Sequence, residues 1–258
     1  MNESNETVKT LLGDFFERHT AGDKEGMSAV LQDIQLKLKS GEIDSRPFMD
    51  YFNDMYAGRG AINVKGMIKD YPRESIIREL LQNVFGCDYD SNDIKVMIEF
   101  LDEGQVKLTY NETGFRLEQV FYYLSVGRND GDAEREGRFG LGAKSVFLNV
   151  DWFKMRSNSY SLRVVNDDGT LKVRELELTA PNFNHTEIVF SLPEDEQQKL
   201  HSNLVSLTSA KGEYINMVDL CFAFIRKKHL RSGDEQEAAD RSFNIAVINY
   251  GKPEIVYK

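Results

Sequence analysis

A chain of 258 residues with 41% hydrophobic residues can bury a substantial core as one large domain or two small ones. Its formal net charge of -10 argues against duplex nucleic acid or an anionic membrane surface as the main partner. Two cysteines, Cys87 and Cys221, make neither a disulfide framework nor a metal site, and no apolar run is long enough to cross a bilayer, so a reducing, cytoplasmic setting is expected.

The first third of the chain reads as helical. Val8, Leu11, Leu12, Phe15 and Phe16 share one helical face, and Met27, Leu31, Ile34 and Leu38 form a second stripe. Asp23 is a suitable N-cap for that second helix and Gly41 a suitable stop. A third helix is expected over Pro47 to Tyr56, before Gly58-Arg59-Gly60 breaks the pattern. No chemical motif falls in residues 1–69, which are read as an N-terminal helical extension for packing or interaction. From Pro72 the helical pattern resumes, with Ile76, Ile77, Leu80, Leu81, Val84 and Phe85 forming a broad apolar arc. Glu79 and Asn83 lie four apart at its margin, one above the other. They read either as a satisfied helix pair or as a carboxylate and an amide facing a cleft.

Strand alternation follows in Ile94, Val96, Ile98 and Phe100, and again from Val106 to Tyr110 after an Asp102-Glu103-Gly104 turn. Asn111-Glu112-Thr113-Gly114 is turn chemistry, and Leu117, Val120, Phe121 and Leu124 predict a short helix. The polar stretch Gly127 to Glu136 reads as a loop, either a plain surface loop or a lid. It enters Gly137-Arg138-Phe139-Gly140-Leu141-Gly142-Ala143-Lys144-Ser145-Val146-Phe147, the most informative run in the chain. Three glycines there let the backbone approach a ligand closely, and the apolar turn after Lys144 marks a helix start. A glycine loop feeding a helix N-terminus suits phosphate, although the spacing is not that of a Walker loop.

Further strands are expected over Trp152–Ser157, Tyr160–Asn166, Leu171–Leu178 and Thr186–Leu192, with Asp167-Asp168-Gly169 as a hairpin turn. Leu200 to Leu207 and Tyr214 to Leu230 read as helices, and Arg226-Lys227-Lys228-His229 as a solvated helix end. Phe243, Ile245 and Val247 alternate again, and Glu254-Ile255-Val256-Tyr257 begins another strand. The pattern stops inside a hairpin, so the chain is expected to be the N-terminal part of a longer protein.

Taken in order, Glu79-Leu80-Leu81-Gln82-Asn83, then Tyr110-Asn111-Glu112-Thr113-Gly114-Phe115, then the triple-glycine run, then His185-Thr186-Glu187-Ile188 resemble the Bergerat-fold (GHKL) ATPases. That group holds gyrase, the ninety-kilodalton heat-shock chaperones, histidine kinases and MutL, and the motifs look most like its sacsin-like branch. The resemblance spans about Arg73 to Leu192. It implies a two-layer α/β sandwich over residues 70–258, with a mixed, mostly antiparallel sheet and helices on one face. It also implies ATP with magnesium as cofactors. Asn83 matches the magnesium-binding asparagine, and Glu79 the general base that prepares water for attack on the γ-phosphate. Gly137, Gly140 and Gly142 match the lid glycines, with Arg138, Phe139 and Leu141 in the same phosphate-side run and Lys144 adding charge. Thr186 matches the strand threonine that helps to hold adenine.

The adenine's amino group needs an acidic acceptor in the turn after the second strand, and here the chain departs from the pattern. A gapless alignment to the chaperones puts Tyr110 in that place. Alignment on the sacsin-like turn puts Glu112 there, with Asn111 and Gly114 beside it. Glu112 is preferred, because a phenol poorly replaces a carboxylate that accepts two hydrogen bonds. Gly86 stands where an aspartate is usual, with Asp88 nearby, and Ala143 replaces a common phenylalanine.

Two functions stay open on these residues. One is slow ATP hydrolysis that drives a conformational or dimerisation cycle in a chaperone-like or defence-type protein, acting on a protein client or on further domains of the same chain. The other is a non-catalytic nucleotide-binding or vestigial-pocket interaction module. A histidine kinase is disfavoured, since none of His19, His185, His201 and His229 sits in a phosphoacceptor helix.

Overall fold

A computed structural model describes residues 3–57, 76, 80, 81, 83, 84, 87, 89–91, 93–125, 146, 147, 149–167, 170–206, 242–249 and 252–257, the side chains only as far as residue 202. Three helices come first: α1 (Glu3–Ala21), α2 (Lys24–Ser40) and α3 (Arg46–Ala57). The caps of α2 are the expected ones. Asp23 accepts the Gly26 N–H at 2.9 Å, and Gly41 closes the helix at φ 74°, a left-handed conformation that glycine adopts without Cβ strain. Ile76, Leu80, Leu81, Asn83 and Val84 are helical, and the four apolar residues among them are buried.

Strands β1 (Asp93–Leu101) and β2 (Gln105–Tyr110) follow, then helix α4 (Leu117–Leu124). The described helical residues 146, 147 and 149 precede β3 (Trp152–Asn158), β4 (Tyr160–Asp167), β5 (Thr170–Glu177) and β6 (Phe183–Ser191). Helix α5 (Glu194–Ser206) and strands β7 (Ser242–Asn249) and β8 (Lys252–Tyr257) complete the described chain. Helix α5 starts six residues before the expected Leu200, because Glu194, Asp195 and Glu196 fill its first turn, where the helix dipole favours carboxylates. Strand β6 starts three residues before the expected Thr186. The expected helix over Tyr214 to Leu230 lies outside the described residues.

The eight strands form one sheet in the order β5-β4-β3-β6-β2-β1-β7-β8. Every neighbouring pair is antiparallel except β1 and β7, which run parallel. The class is therefore the one that the motifs imply: a two-layer α/β sandwich with a mixed, mostly antiparallel sheet. Alternation buries one face of β1 to β6 and leaves the other partly open. On the buried face, register lines up rows of side chains across the strands. One row is Phe100, Val106, Phe190, Phe153, Val164 and Val173, and the next is Ile98, Leu108, Ile188, Met155, Leu162 and Leu176.

The helical lead packs onto this sandwich and shares its core. Phe121 of α4 meets Phe15, Phe48 and Phe52, its ring lying 5.6 Å from Phe48 in a stacked pair and 5.8 Å from Phe15 edge-on. Such pairs add about 0.5–1.5 kcal/mol each beyond simple burial. The Tyr56 hydroxyl donates to the Leu124 carbonyl at 2.6 Å, at the end of α4. At the sheet's edge, Asn53 of α3 donates to the Val173 carbonyl (3.0 Å) and accepts the Val173 N–H (2.7 Å). That two-way contact occupies backbone groups which an edge strand otherwise offers to other chains. Among the described residues, no helix is long and apolar enough to cross a membrane.

Candidate functional site

The third row across the buried face is different in kind. Val96, Tyr110, Thr186, Ser157 and Tyr160 are successive register partners, so hydroxyl groups replace the apolar side chains at the sheet's middle. Thr186 and Ser157 are fully buried. Two residues beyond Tyr110, where the chain has left β2, Glu112 turns to the same side and is only 5% exposed. A buried carboxylate needs partners, because an unsatisfied one costs several kcal/mol. Glu112 has one in Thr186, whose hydroxyl donates to its Oε1.

The remaining hydroxyl bonds follow from counting protons. An ionised carboxylate only accepts, so Thr186's single proton goes to Glu112 and its oxygen takes a bond from the neighbouring Ser157 hydroxyl. Ser157 Oγ in turn accepts the Phe115 N–H at 2.9 Å. The chain of bonds thus runs one way, from the Phe115 amide through two hydroxyls to the Glu112 carboxylate.

The turn that carries Glu112 is held at both ends. Asn111 accepts the Lys95 N–H at 2.7 Å and donates to the Asp93 carbonyl at 2.8 Å, stitching the turn to β1. Asn158 donates to the Phe115 carbonyl at 3.2 Å. Between them Gly114 adopts φ 91°, and a Cβ there would lie 3.0 Å from the Cβ of Asn158, so both conformation and space call for glycine. The Arg116 N–H then bonds Gln119 Oε1 at 2.8 Å and opens α4.

Around this carboxylate the described surroundings are aromatic and largely buried. Burial first, then the negative charge of Glu112, pushes the Tyr110 phenol well above its usual range, with Cys87, Tyr123 and Tyr89 adding smaller effects. Burial likewise raises Tyr123, whose hydroxyl has no hydrogen-bond partner among the described residues. The Tyr123 ring sits edge-on to Phe115 at 5.6 Å and to Phe147 at 5.5 Å. Phe147, just after the triple-glycine run in sequence, packs 4.6 Å from Phe153 of β3. Asn83 is half-buried, and its Nδ2 has no hydrogen-bond partner among the described residues. Beyond it, Cys87 Sγ donates to the Asn83 carbonyl at 3.1 Å and the Tyr89 hydroxyl to the Val84 carbonyl at 2.7 Å.

Of the residues singled out in the sequence, the structure brings Glu112 and Thr186 into contact and puts Gly114 in the same turn. Asn111 spends its carboxamide on β1, on the far side of that turn. Glu79, Gly137, Arg138, Phe139, Gly140, Leu141, Gly142 and Lys144 lie outside the described residues, as do Gly86, Asp88 and Ala143. Among the described residues, no group of three His, Cys, Asp or Glu side chains could hold a metal ion. Sequence reasoning missed Ser157, Asn158 and Tyr123. Ser157 did carry a signal: it is the polar third position in the inward series Phe153, Met155, Ser157.

No protein-family model matches the chain, and no curated protein does. Among solved structures, it is similar to the N-terminal domain of a DNA repair protein, at 12% identity and a TM-score of 0.37 over 77% of this chain and 56% of that one. It is also similar to the MutL ATPase domain of Aquifex aeolicus complexed with ADP, at 14% identity and a TM-score of 0.34, over 72% of this chain and 62% of that one. The matched part is thus less than two thirds of either structure.

Proposed function

We propose that the chain is a Bergerat-type ATP-binding domain that hydrolyses ATP slowly and uses the nucleotide cycle to drive conformational change or dimerisation in a cytoplasmic, chaperone-like or defence-type protein. The observation that supports this reading is the buried Glu112 carboxylate, fixed by Thr186 and by a turn tied down on both sides. A buried carboxylate acceptor among aromatic side chains suits the amino group of adenine, and a rigid acceptor binds without first being ordered. Thr186 and Glu112 would hold the base. The half-buried Asn83 carboxamide, whose Nδ2 has no hydrogen-bond partner among the described residues, keeps a carbonyl oxygen that would serve magnesium, a hard cation that takes oxygen ligands. Magnesium, when bound, supplies charge neutralisation to the phosphates. Gly137, Gly140 and Gly142, with Lys144, would receive those phosphates, and Glu79 would orient and deprotonate the attacking water.

Isothermal titration tests the binding. ATP with magnesium should give a saturable isotherm in the wild type, and Glu112→Gln should weaken it at least about tenfold, since a charge-assisted acceptor contributes about 1.5–3 kcal/mol. Glu79→Ala should bind ATP normally yet release no phosphate. Absence of heat at millimolar nucleotide would remove the proposal, and equal turnover by Glu79→Ala would remove Glu79 from its role.

A further inference from the structure

Strand β3 ends in the two-residue hairpin turn Asn158-Ser159, since Ser157 pairs with Tyr160 of β4, and such a turn calls for a positive φ at its first residue. The pairing of β3 with β6 shifts register between Ser157 and Asn158, and Asn158 takes φ 52°, one of two non-glycine residues with positive φ among the described residues. A left-handed non-glycine residue costs energy unless its surroundings hold it, although asparagine tolerates the conformation better than most. Here Ser157 takes the Phe115 N–H and Asn158 takes the Phe115 carbonyl, so two adjacent residues grip both polar groups of one peptide position. Phe115 lies three residues after Glu112. The same Asn158 also closes the space above Gly114.

We propose that Ser157 and Asn158 form a positioning clamp, which sets the Glu112 turn in its ligand-accepting geometry before any ligand arrives. Neither side chain need touch the ligand. Asn158 acts on the turn's backbone alone, and Ser157 acts twice, on the Phe115 amide and on Thr186. The clamp opposes the Asn111 tie on β1, so the turn is fixed from two strands that lie on opposite sides of β2 and β6 in the sheet order. The proposal rests on the nucleotide reading for its consequence, but the clamp itself is a property of the unliganded chain.

Asn158→Gly separates the clamp from general stability. Glycine accepts φ 52° without strain but cannot hold Phe115, so the thermal midpoint without nucleotide should stay level or rise while the Kd for magnesium-ATP rises about fivefold. Asn158→Asp, similar in size but with no N–H to donate, should weaken ATP to a similar extent. Ser157→Ala should speed amide exchange at Phe115 in the unliganded protein. If the wild type binds ATP and both Asn158 variants bind it equally well, the clamp is overturned. If the wild type binds no ATP, the nucleotide reading falls, and unchanged Phe115 exchange in Ser157→Ala would overturn the clamp independently.

Discussion

The buried face of the sheet has two regions built on the same register but serving different ends. Rows through Phe153 and Met155 join apolar side chains across up to six strands, and each residue there gains by leaving water. The row through Ser157 joins hydroxyls and a carboxylate, groups that lose by leaving water and recover the loss only through mutual hydrogen bonds. A satisfied polar row adds little net stability, so the difference teaches that one sheet face divides stability and polarity between its rows. The apolar rows give the sandwich its stability, and the hydroxyl row gives it a patch of fixed polarity.

The sharpest way to break this contrast is Phe153→Ala. Phe153 is fully buried against Phe147 and Tyr123, and its truncation leaves a cavity that should cost about 3–5 kcal/mol in denaturant unfolding. A loss under about 1 kcal/mol would mean that this row is not the structural one. Thr186→Val should behave in the opposite sense. It keeps the shape but leaves Glu112 and Ser157 each short of a partner, for a cost of about 1–3 kcal/mol. Its loss of ATP affinity should be out of proportion to that, whereas Phe153→Ala should bind normally wherever it remains folded. A Thr186→Val protein with unaltered ATP affinity would erase the distinction.

The smallest expected effect lies away from both rows and serves as their control. Asp23 is held below the ordinary aspartate value of 3.8, first by the Gly26 N–H and then by Arg18. A depressed folded pKa contributes stability above the unfolded value, which is lost as pH falls from 3.8 through the folded value. The Asp23 and Arg18 side chains are both partly open to solvent, which screens the pair, so the loss should be slight and confined to the start of α2. Protection of the Gly26 amide, taken relative to its intrinsic exchange rate at each pH, that does not change between about pH 5 and about pH 3, the range in which exposed aspartates titrate, would show that the cap carries nothing.

Much of the architecture was legible because local chemistry and the fold agree. Asp23 and Gly41 mark α2 through cap chemistry that needs no distant contact. Inward alternation marks β1 to β6 within a residue or three. The parallel pairing of β1 with β7 was not legible. The register partners Asp93 and Ser242 are far apart in the chain, and no local pattern encodes which strand lies beside which. The clamp on Phe115 escaped for the same reason, since Ser157 and Asn158 look like an ordinary strand end.

By itself the sequence determined the periods of its helices and strands, the turn after β2 and the order of its motifs, because propensity, capping and turn chemistry act over a few residues. It preferred Glu112 to Tyr110 for the acidic position but held nothing about what either side chain would touch. The register of β2 against β6 sets Tyr110 beside Thr186, but two residues later it is the Glu112 carboxylate that Thr186 bonds. Which groups meet across three strands is decided by pairing between segments tens of residues apart, and the sequence carries that information only through the packing of the whole chain.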